Sequence, residues 1–481
     1  MKLKVLLTNP NQMKPPVAPL GLEYVGSFLK KHAVEVDLLD LTWEDSPLEA
    51  VKNKISKNGY AVIGISIRNT DDSCLATGDF VLAQSKEIVR SIKKLTKTPI
   101  VLGGCGFSIM PKEVLEYCNA DFGIAGDGEF AMLELVNSIS SKSELKSELN
   151  AISGLLFWQG SKLVMNEPVY PSLDRGSIMG MRGVVDNLRY FTEGGQAGIE
   201  TKRGCNRNCI YCADPLAKGR KIRTRNISDV MVEIQQLLEQ DIYCFHLCDS
   251  EFNIDEDQAT EICHELIRLG LSEKIKWYTY ATPKPFSSEL ARLMKSAGCS
   301  GINFGVDNAS PEMLGTLGKD FSPVDIVNSV EACQEVGIAC MLDLLLGGPG
   351  ETPETVKETI KLARRLPVTA VGVNVGIRIY PGTVFAEMVY EEGFLPENPN
   401  IHGKVEGNQQ FLEPVFYLSS ELGPDVEEGI YDLIDEDNRF MFMSRLPRRK
   451  SYNYNQNIVL IEALRRGYRG AYWHILSQIN P

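Results

Sequence analysis

Thr201-Lys-Arg-Gly-Cys205-Asn-Arg-Asn-Cys209-Ile-Tyr-Cys212 places three cysteines in one short loop, spaced C-x3-C-x2-C, with an aromatic residue, Tyr211, before the last. A four-iron cluster is ordinarily held by four thiolates. Three from one loop, with no fourth nearby, leave one iron open to a reactant. Zinc sites also use C-x2-C pairs, but they require a second pair of Cys or His at matching distance, and none lies near this loop. The flanks agree with the cluster reading. A short strand, Gly198 to Thr201, leads in, and basic residues and a helix from Ile227 to Glu239 lead out.

Around this loop, through residues 191–392, strand and helix alternate. Strands are expected at Cys244–Cys248, Lys276–Thr282, Gly301–Val306, Ala339–Leu346 and Ala370–Ile377, and helices at Asp257–Leu269, Ser287–Ala297, Pro323–Val336 and Thr355–Leu366. With the cysteine strand this makes six β-α units. The cysteine loop closely resembles the signature of the radical SAM enzymes. The resemblance implies a partial (β/α)6 barrel with its chemistry at the carboxyl ends of the strands, as in full barrels. It also implies a [4Fe-4S] cluster on Cys205, Cys209 and Cys212, with S-adenosylmethionine (SAM) held at the open iron by its amino and carboxylate groups. An electron from the cluster then splits the sulfonium to a 5′-deoxyadenosyl radical.

The turns at those carboxyl ends carry the remaining candidates. Asp249-Ser250-Glu251 offers carboxylates and carbonyls to the SAM ammonium, which has only donors; the same run reads as a helix N-cap signal leading to Asp255. Asp307 and Asn308 suit ribose hydroxyls or the methionine carboxylate region. Gly347-Gly348-Pro349-Gly350-Glu351-Thr352 resembles the family's G-x-PGET turn, whose glycines let backbone approach SAM, and Thr352 caps the next helix. Arg378 and Tyr380, in a Pro381-Gly382-Thr383 turn, are candidates for contact with SAM or substrate. Cys244, His246 and Cys248 share one face of a strand. A metal site there competes with the plainer reading, an interior filled by small thiols and one satisfied histidine.

Residues 1–145 alternate as well, with strands at Lys4–Thr8, Val34–Leu39, Ala61–Ser66, Pro99–Leu102 and Phe122–Ala125 and helices such as Leu20–Lys31 and Phe80–Leu95. Val/Ile/Leu-rich strands in β-α-β order mean a doubly wound parallel sheet, which binds ligands beyond the carboxyl ends of its strands. Glycines cluster there, in Gly64-Ile-Ser66-Ile-Arg68-Asn69, Gly103-Gly104-Cys105-Gly106-Phe107-Ser108 and Gly126-Asp127-Gly128-Glu129. They let backbone approach a large flat or phosphate-bearing ligand; no G-x-G-x-x-G fingerprint is present. With Asn9-Pro10 and Pro19-Leu-Gly21-Leu22, the segment resembles the cobalamin-binding domain that precedes many radical SAM domains. The resemblance puts Gly64, Ser66, Arg68, Gly103, Gly104, Ser108, Gly126 and Glu129 at cobalamin.

One departure is clear. The D-x-H-x-x-G motif that supplies a lower histidine ligand to cobalt is absent, and His32 merely precedes the second strand. In the tryptophan 2-C-methyltransferase branch an arginine after the third strand lies near the lower face of cobalt, and Arg68 looks like its match. A surface or phosphate-pairing arginine is the alternative, as is a domain of this fold that holds no corrinoid.

Residues 146–190 read as a connector with a β-hairpin, Ile152–Trp158 and Lys162–Met165, and a loop at Gly176–Arg182. Residues 393–481 read as a mainly helical capping region with an acidic run, Asp425–Asp435, a basic one, Arg445–Lys450, and a helix, Ile458–Tyr468. No cysteine follows Cys340, which excludes a C-terminal auxiliary cluster. A net charge of -13 offers no broadly basic face to nucleic acid. No apolar run is long enough to span a membrane. The opening residues do not read as a signal peptide, and twelve cysteines without one point to reduced thiols and the cytoplasm.

These readings converge on a cobalamin-dependent radical SAM methyltransferase of class B. It is expected to move a methyl group from SAM, by way of methylcobalamin, to a carbon of a small-molecule, lipid or peptide substrate, with flavodoxin or ferredoxin as reductant. The alternative keeps the 5′-deoxyadenosyl radical and drops methylation, for cyclisation, ring rearrangement or carbon–carbon bond formation, with or without cobalamin.

Overall fold

Seven strands form the first sheet in the order β2-β1-β3-β4-β5-β6-β7. They are β1 (Lys4–Asn9), β2 (Glu35–Asp40), β3 (Val62–Ser66), β4 (Ile100–Gly103), β5 (Phe122–Ile124), β6 (Leu155–Gln159) and β7 (Lys162–Met165). The computed structural model describes residues 3–141, 148–173, 182–446 and 457–479. The loop expected at 176–181 and the basic residues 447–450 lie outside the described residues.

Side chains alternate across a strand, and β1, β3, β4 and β5 are buried on both faces, while edge strand β2 is only partly covered. Leu6, Ile63, Ile65 and Leu102 pack with Val51, Ile88, Ile92 and Leu115 from helices Pro47–Ser56, Leu82–Leu95 and Pro111–Cys118. Val5, Leu7, Val62 and Val101 pack with Leu22, Leu29, Leu135 and Val136 from helices Leu20–Lys31 and Gly128–Ser141. Strands β1 to β5 run parallel. The chain order reverses between β1 and β3, and the crevice at such a switch point is where doubly wound sheets take ligands. The β6–β7 hairpin, read from the sequence as a separate connector, instead pairs antiparallel with β5 and extends this sheet. Its Leu155, Leu156 and Phe157 are buried in the same two cores, so it has no independent core to form.

The second sheet is parallel throughout, in the order β19-β15-β14-β13-β12-β11-β8. Its strands are β8 (Ala197–Ile199), β11 (Cys244–Leu247), β12 (Lys276–Ala281), β13 (Cys299–Asp307), β14 (Ala339–Leu346), β15 (Ala370–Val375) and β19 (Phe440–Phe442). The edges β8 and β19 do not pair, so the barrel stays open. Six strands match the alternation in sequence; β19 is an addition from the tail, three residues too short to register as a strand. Strand β9 (Lys202–Arg203) pairs antiparallel with β10 (Arg223–Thr224) and brackets the cysteine loop. A small sheet of β16 (Ile377–Arg378), β18 (Val415–Tyr417) and β17 (Ile401–Gly403) follows the sixth unit. The tail then contributes helices Val426–Ile434, Ile458–Arg465 and Tyr472–Ile479. The last of these sends Trp473 into the barrel, where its Nε1 donates to Asn303 Oδ1.

Ion pairs join the two halves. Arg203 grips Glu129 at 2.7 Å and Arg223 grips Asp127, both across the junction. Arg378 holds Asp71 at 3.0 Å. Tyr24 donates to Glu233 at 3.1 Å, and Glu233 also pairs with Arg225 at 2.7 Å and with Arg182. Charges this deep persist only when paired, so these contacts fix how the sheets face each other.

Candidate active site

The cysteine loop is held by its backbone. Cys205 N–H donates to Gly219 O at 3.1 Å, Ile210 N–H to Leu317 O at 3.2 Å, and Phe385 N–H to Ile210 O at 3.0 Å. Gly318 has φ +74°, and a Cβ there would sit 2.2 Å from Asn208 O. Only glycine permits that approach. Burial, reinforced by neighbouring carboxylates and thiols, pushes the Cys205 thiol up to about 11 and the Cys212 thiol up to about 12. Three thiolates therefore need a positive partner at the site, as iron supplies. A cluster, in which each thiolate takes its own iron, suits three cysteines on one short loop.

Several expected SAM ligands have other partners. Asp249 accepts from Thr201 N–H at 2.7 Å, Lys202 N–H at 3.2 Å and Lys202 Nζ at 3.1 Å, as well as from the Thr201 hydroxyl. It ties the strand entering the cysteine loop to the neighbouring turn. Ser250 donates to Asp214 at 2.6 Å, in the helix after the loop. Glu251 pairs with Arg207 of the loop at 3.1 Å. Asp307, at φ +62°, is gripped by Lys319 at 2.6 Å and by the Tyr211 hydroxyl. Asn308 donates to Glu351 at 2.6 Å and accepts from Ser310 N–H and Thr359 Oγ1. Glu351 in turn accepts from the N–H groups of Gly347 and Gly348. Asp249, Asp307 and Asn308, expected to face the ligand, also brace the turns that carry them. The backbone of Gly347, Gly348, Pro349 and Gly350 remains the surface these partners present.

Arg378 and Tyr380 lie elsewhere. The Arg378 guanidinium is spent on Asp71 and on the carbonyls of Ile379 and Phe411. Tyr380 shares a 2.7 Å hydrogen bond with Ser73 and packs against the core of the first sheet. Both are junction residues, because the sixth turn lands on the first domain. Glu129 is similarly spent on Arg203.

Two cavities open at the carboxyl edge of the first sheet. One is lined by Gly64, Ser66, Gly103, Gly104, Ser108, Gly126 and Glu129, with Arg203 and Lys218 from the barrel side. The other lies at the switch point between Pro10–Met13 and Ser66–Asn69. Gly64 floors the first: a Cβ there would lie 3.1 Å from Leu7 and 3.2 Å from Met132. No histidine lines either. Arg68 is exposed in the second and has no carboxylate partner among the described residues; its charge reaches Tyr280 and Tyr472 across the gap. A deep, mostly apolar, glycine-floored crevice fits a flat macrocycle with a long arm. Filling its floor by Gly64→Val is expected to lower cobalamin uptake about tenfold or more with iron content unchanged; unchanged cobalt stoichiometry would contradict this.

Sequence reasoning placed His246, with Cys244 and Cys248, in the barrel interior but missed the polar residues beside it. His246, Tyr280, Asn303, Met341 and Asp343 meet there: the His246 and Tyr280 rings are 5.2 Å apart, and Asn303 donates to Asp343 at 3.1 Å. Tyr280 is 45% exposed while its ring meets His246 inside the barrel, so it fronts open space there. Period-two alternation in Tyr278-Thr279-Tyr280 was the available signal. Lys319 and Trp473 carried none.

Residues 199–363 match the Radical SAM superfamily and residues 11–136 the B12 binding domain. The chain belongs to the cobalamin-binding radical SAM enzymes. It is 28% identical to the tryptophan 2-C-methyltransferase of Streptomyces laurentii, over 98% of this chain and 95% of that one. It also resembles the radical SAM methyltransferase TsrM of Kitasatospora setae. The structure with cobalamin and [4Fe-4S] cluster matches at a TM-score of 0.91 and 28% identity, over 99% of this chain and 98% of that one. The structure with tryptophan and aza-SAM matches at 0.90 and 29%, with the same coverage. This chain is accordingly a cobalamin-dependent radical SAM methyltransferase that uses a [4Fe-4S] cluster and SAM. Among the described residues no helix is long and apolar enough to cross a membrane.

Proposed function

We propose that this enzyme methylates carbon 2 of the indole ring of tryptophan. The observation that carries the reading is the end-to-end match to a tryptophan-bound relative, supported by a chamber faced by Tyr280 and closed by Trp473. When bound, cobalamin supplies a metal that accepts and releases a methyl group, and the cluster supplies an open iron for SAM.

The chain's own residues orient and exclude. Cys205, Cys209 and Cys212 hold the cluster at the barrel mouth. The Gly347–Gly350 turn, braced by Glu351 and Asn308, presents backbone to SAM. The glycine-rich turns of the first sheet admit the corrin. Arg68 adds a cation with no lone pair to donate, so it occupies the crevice without coordinating metal. The Arg203–Glu129 and Arg223–Asp127 pairs keep the two mouths opposed and limit water entry. A thiolate-held cluster suits a reducing compartment such as the cytoplasm, where flavodoxin or ferredoxin supplies electrons.

The test is anaerobic turnover of the reconstituted enzyme with tryptophan and SAM labelled in its methyl group. Label at carbon 2 of the indole, with S-adenosylhomocysteine released, is expected. Arg68→His, which supplies a lone pair, is expected to slow that transfer. Release of 5′-deoxyadenosine with no labelled tryptophan would instead support non-methylating radical chemistry.

A further inference from the structure

Asp343 is a carboxylate without a cation. It lies on β14 and faces the barrel interior, where Oδ2 accepts from Asn303 Nδ2 at 3.1 Å. Asn303 is pinned in turn by Trp473. No lysine or arginine among the described residues pairs with Asp343, and the charge that acts on it is another carboxylate, Asp307. Burial holds its carboxyl up at about 6, so at neutral pH it is still largely ionised. The neighbouring strand gives way to it. Gly372 sits opposite in register, and a Cβ there would come within 2.9 Å of Asp343 Oδ1. The Met341 methyl lies over the same glycine, and Asp343 stays partly exposed to the space that Tyr280 also fronts. A buried, unpaired charge costs several times what a hydrogen bond returns. That cost disappears if the chamber's occupant brings a cation.

We propose that Asp343 receives the α-ammonium of the substrate and so restricts the enzyme to substrates that carry a free amine. The inference rests on the amino-acid reading of the substrate and specifies which group of it is recognised. Asn303 and Trp473 are positioning residues that orient the carboxylate, and Tyr280 lines the approach from the corrin crevice.

The experiment measures binding of tryptophan and of indole-3-propionate, which lacks only the amine, to the anaerobically reconstituted holoenzyme. Wild type is expected to prefer tryptophan by about thirtyfold or more. Asp343→Asn is expected to bring tryptophan down to the level of indole-3-propionate, whose affinity stays unchanged, with the loss appearing in KM rather than kcat. The asparagine variant removes an unpaired charge, so it should melt no lower than wild type. Wild type that binds both ligands equally overturns the proposal without recourse to any variant. So does a folded Asp343→Asn enzyme that retains tight tryptophan binding. Either result leaves tryptophan methylation standing. Wild type that neither binds nor methylates tryptophan overturns the proposed function, and this inference falls with it.

Discussion

Cys209→Ala is expected to leave a folded protein almost free of iron, with methyl transfer reduced by about a thousandfold or more. Cys205→Ala and Cys212→Ala should behave alike. A cluster on four thiolates can lose one and sometimes recruit a substitute. With three on a single loop, no other cysteine shares that loop, and the site already leaves one iron for SAM. The polypeptide should survive the change, because the loop is held by main-chain bonds to Gly219, Leu317 and Phe385 rather than by the thiols. Iron content, visible absorption and melting temperature measured together make the check. Cys248→Ala is the control: Cys248 lies inside the barrel against Gly198, where a Cβ would stand 2.7 Å from its sulfur, and its loss should spare the iron. Full iron and turnover in Cys209→Ala would dismantle the assignment of the loop.

Arg378→Ala should destabilise the protein by about 3–5 kcal/mol. Arg378 is 3% exposed and Asp71 0%. The guanidinium makes two bonds to Asp71, at 3.0 and 3.1 Å, and another to Phe411 O at 2.8 Å. Removing it strands a carboxylate in the interior and orphans carbonyls at the same time. Arg378→Lys keeps the charge but not the planar fork, so an intermediate loss is expected. Thermal melting reads the effect, while iron loading of the folded fraction should stay normal. A variant that melts like wild type but no longer binds SAM would restore the ligand role that the sequence suggested for this residue.

The contrast between these two sites shows what a sequence discloses. Cys205, Cys209 and Cys212 were legible because ligand geometry forces them into a fixed short spacing. The strands were legible because burial on two faces demands unbroken runs such as Ile100–Gly103. Arg378 and Asp71 lie 307 residues apart, and nothing local at either marks the other. Asp249 and Asn308 were correctly placed at strand ends, yet which way a carboxylate or amide faces depends on donors brought by distant turns. The β6–β7 hairpin was found but detached from its sheet, because pairing partners leave no trace in a strand's own pattern. Asp343 went unread, since one acid inside an apolar strand looks like an interruption until its neighbours are known.

Trp473 reaches Asn303 across 170 residues of chain, and β19 joins the barrel edge only after the small three-stranded sheet has been made. During synthesis the six earlier strands therefore emerge with six-residue β15 as the open edge where three-residue β19 later stands, and with the interior unsealed. Closing so long a loop is slow, and an exposed strand edge invites association with other chains in the meantime. The ribosome thus delivers the seal of the reaction chamber well after the barrel strands, and yield of active enzyme should depend on how quickly residues 440–479 follow them.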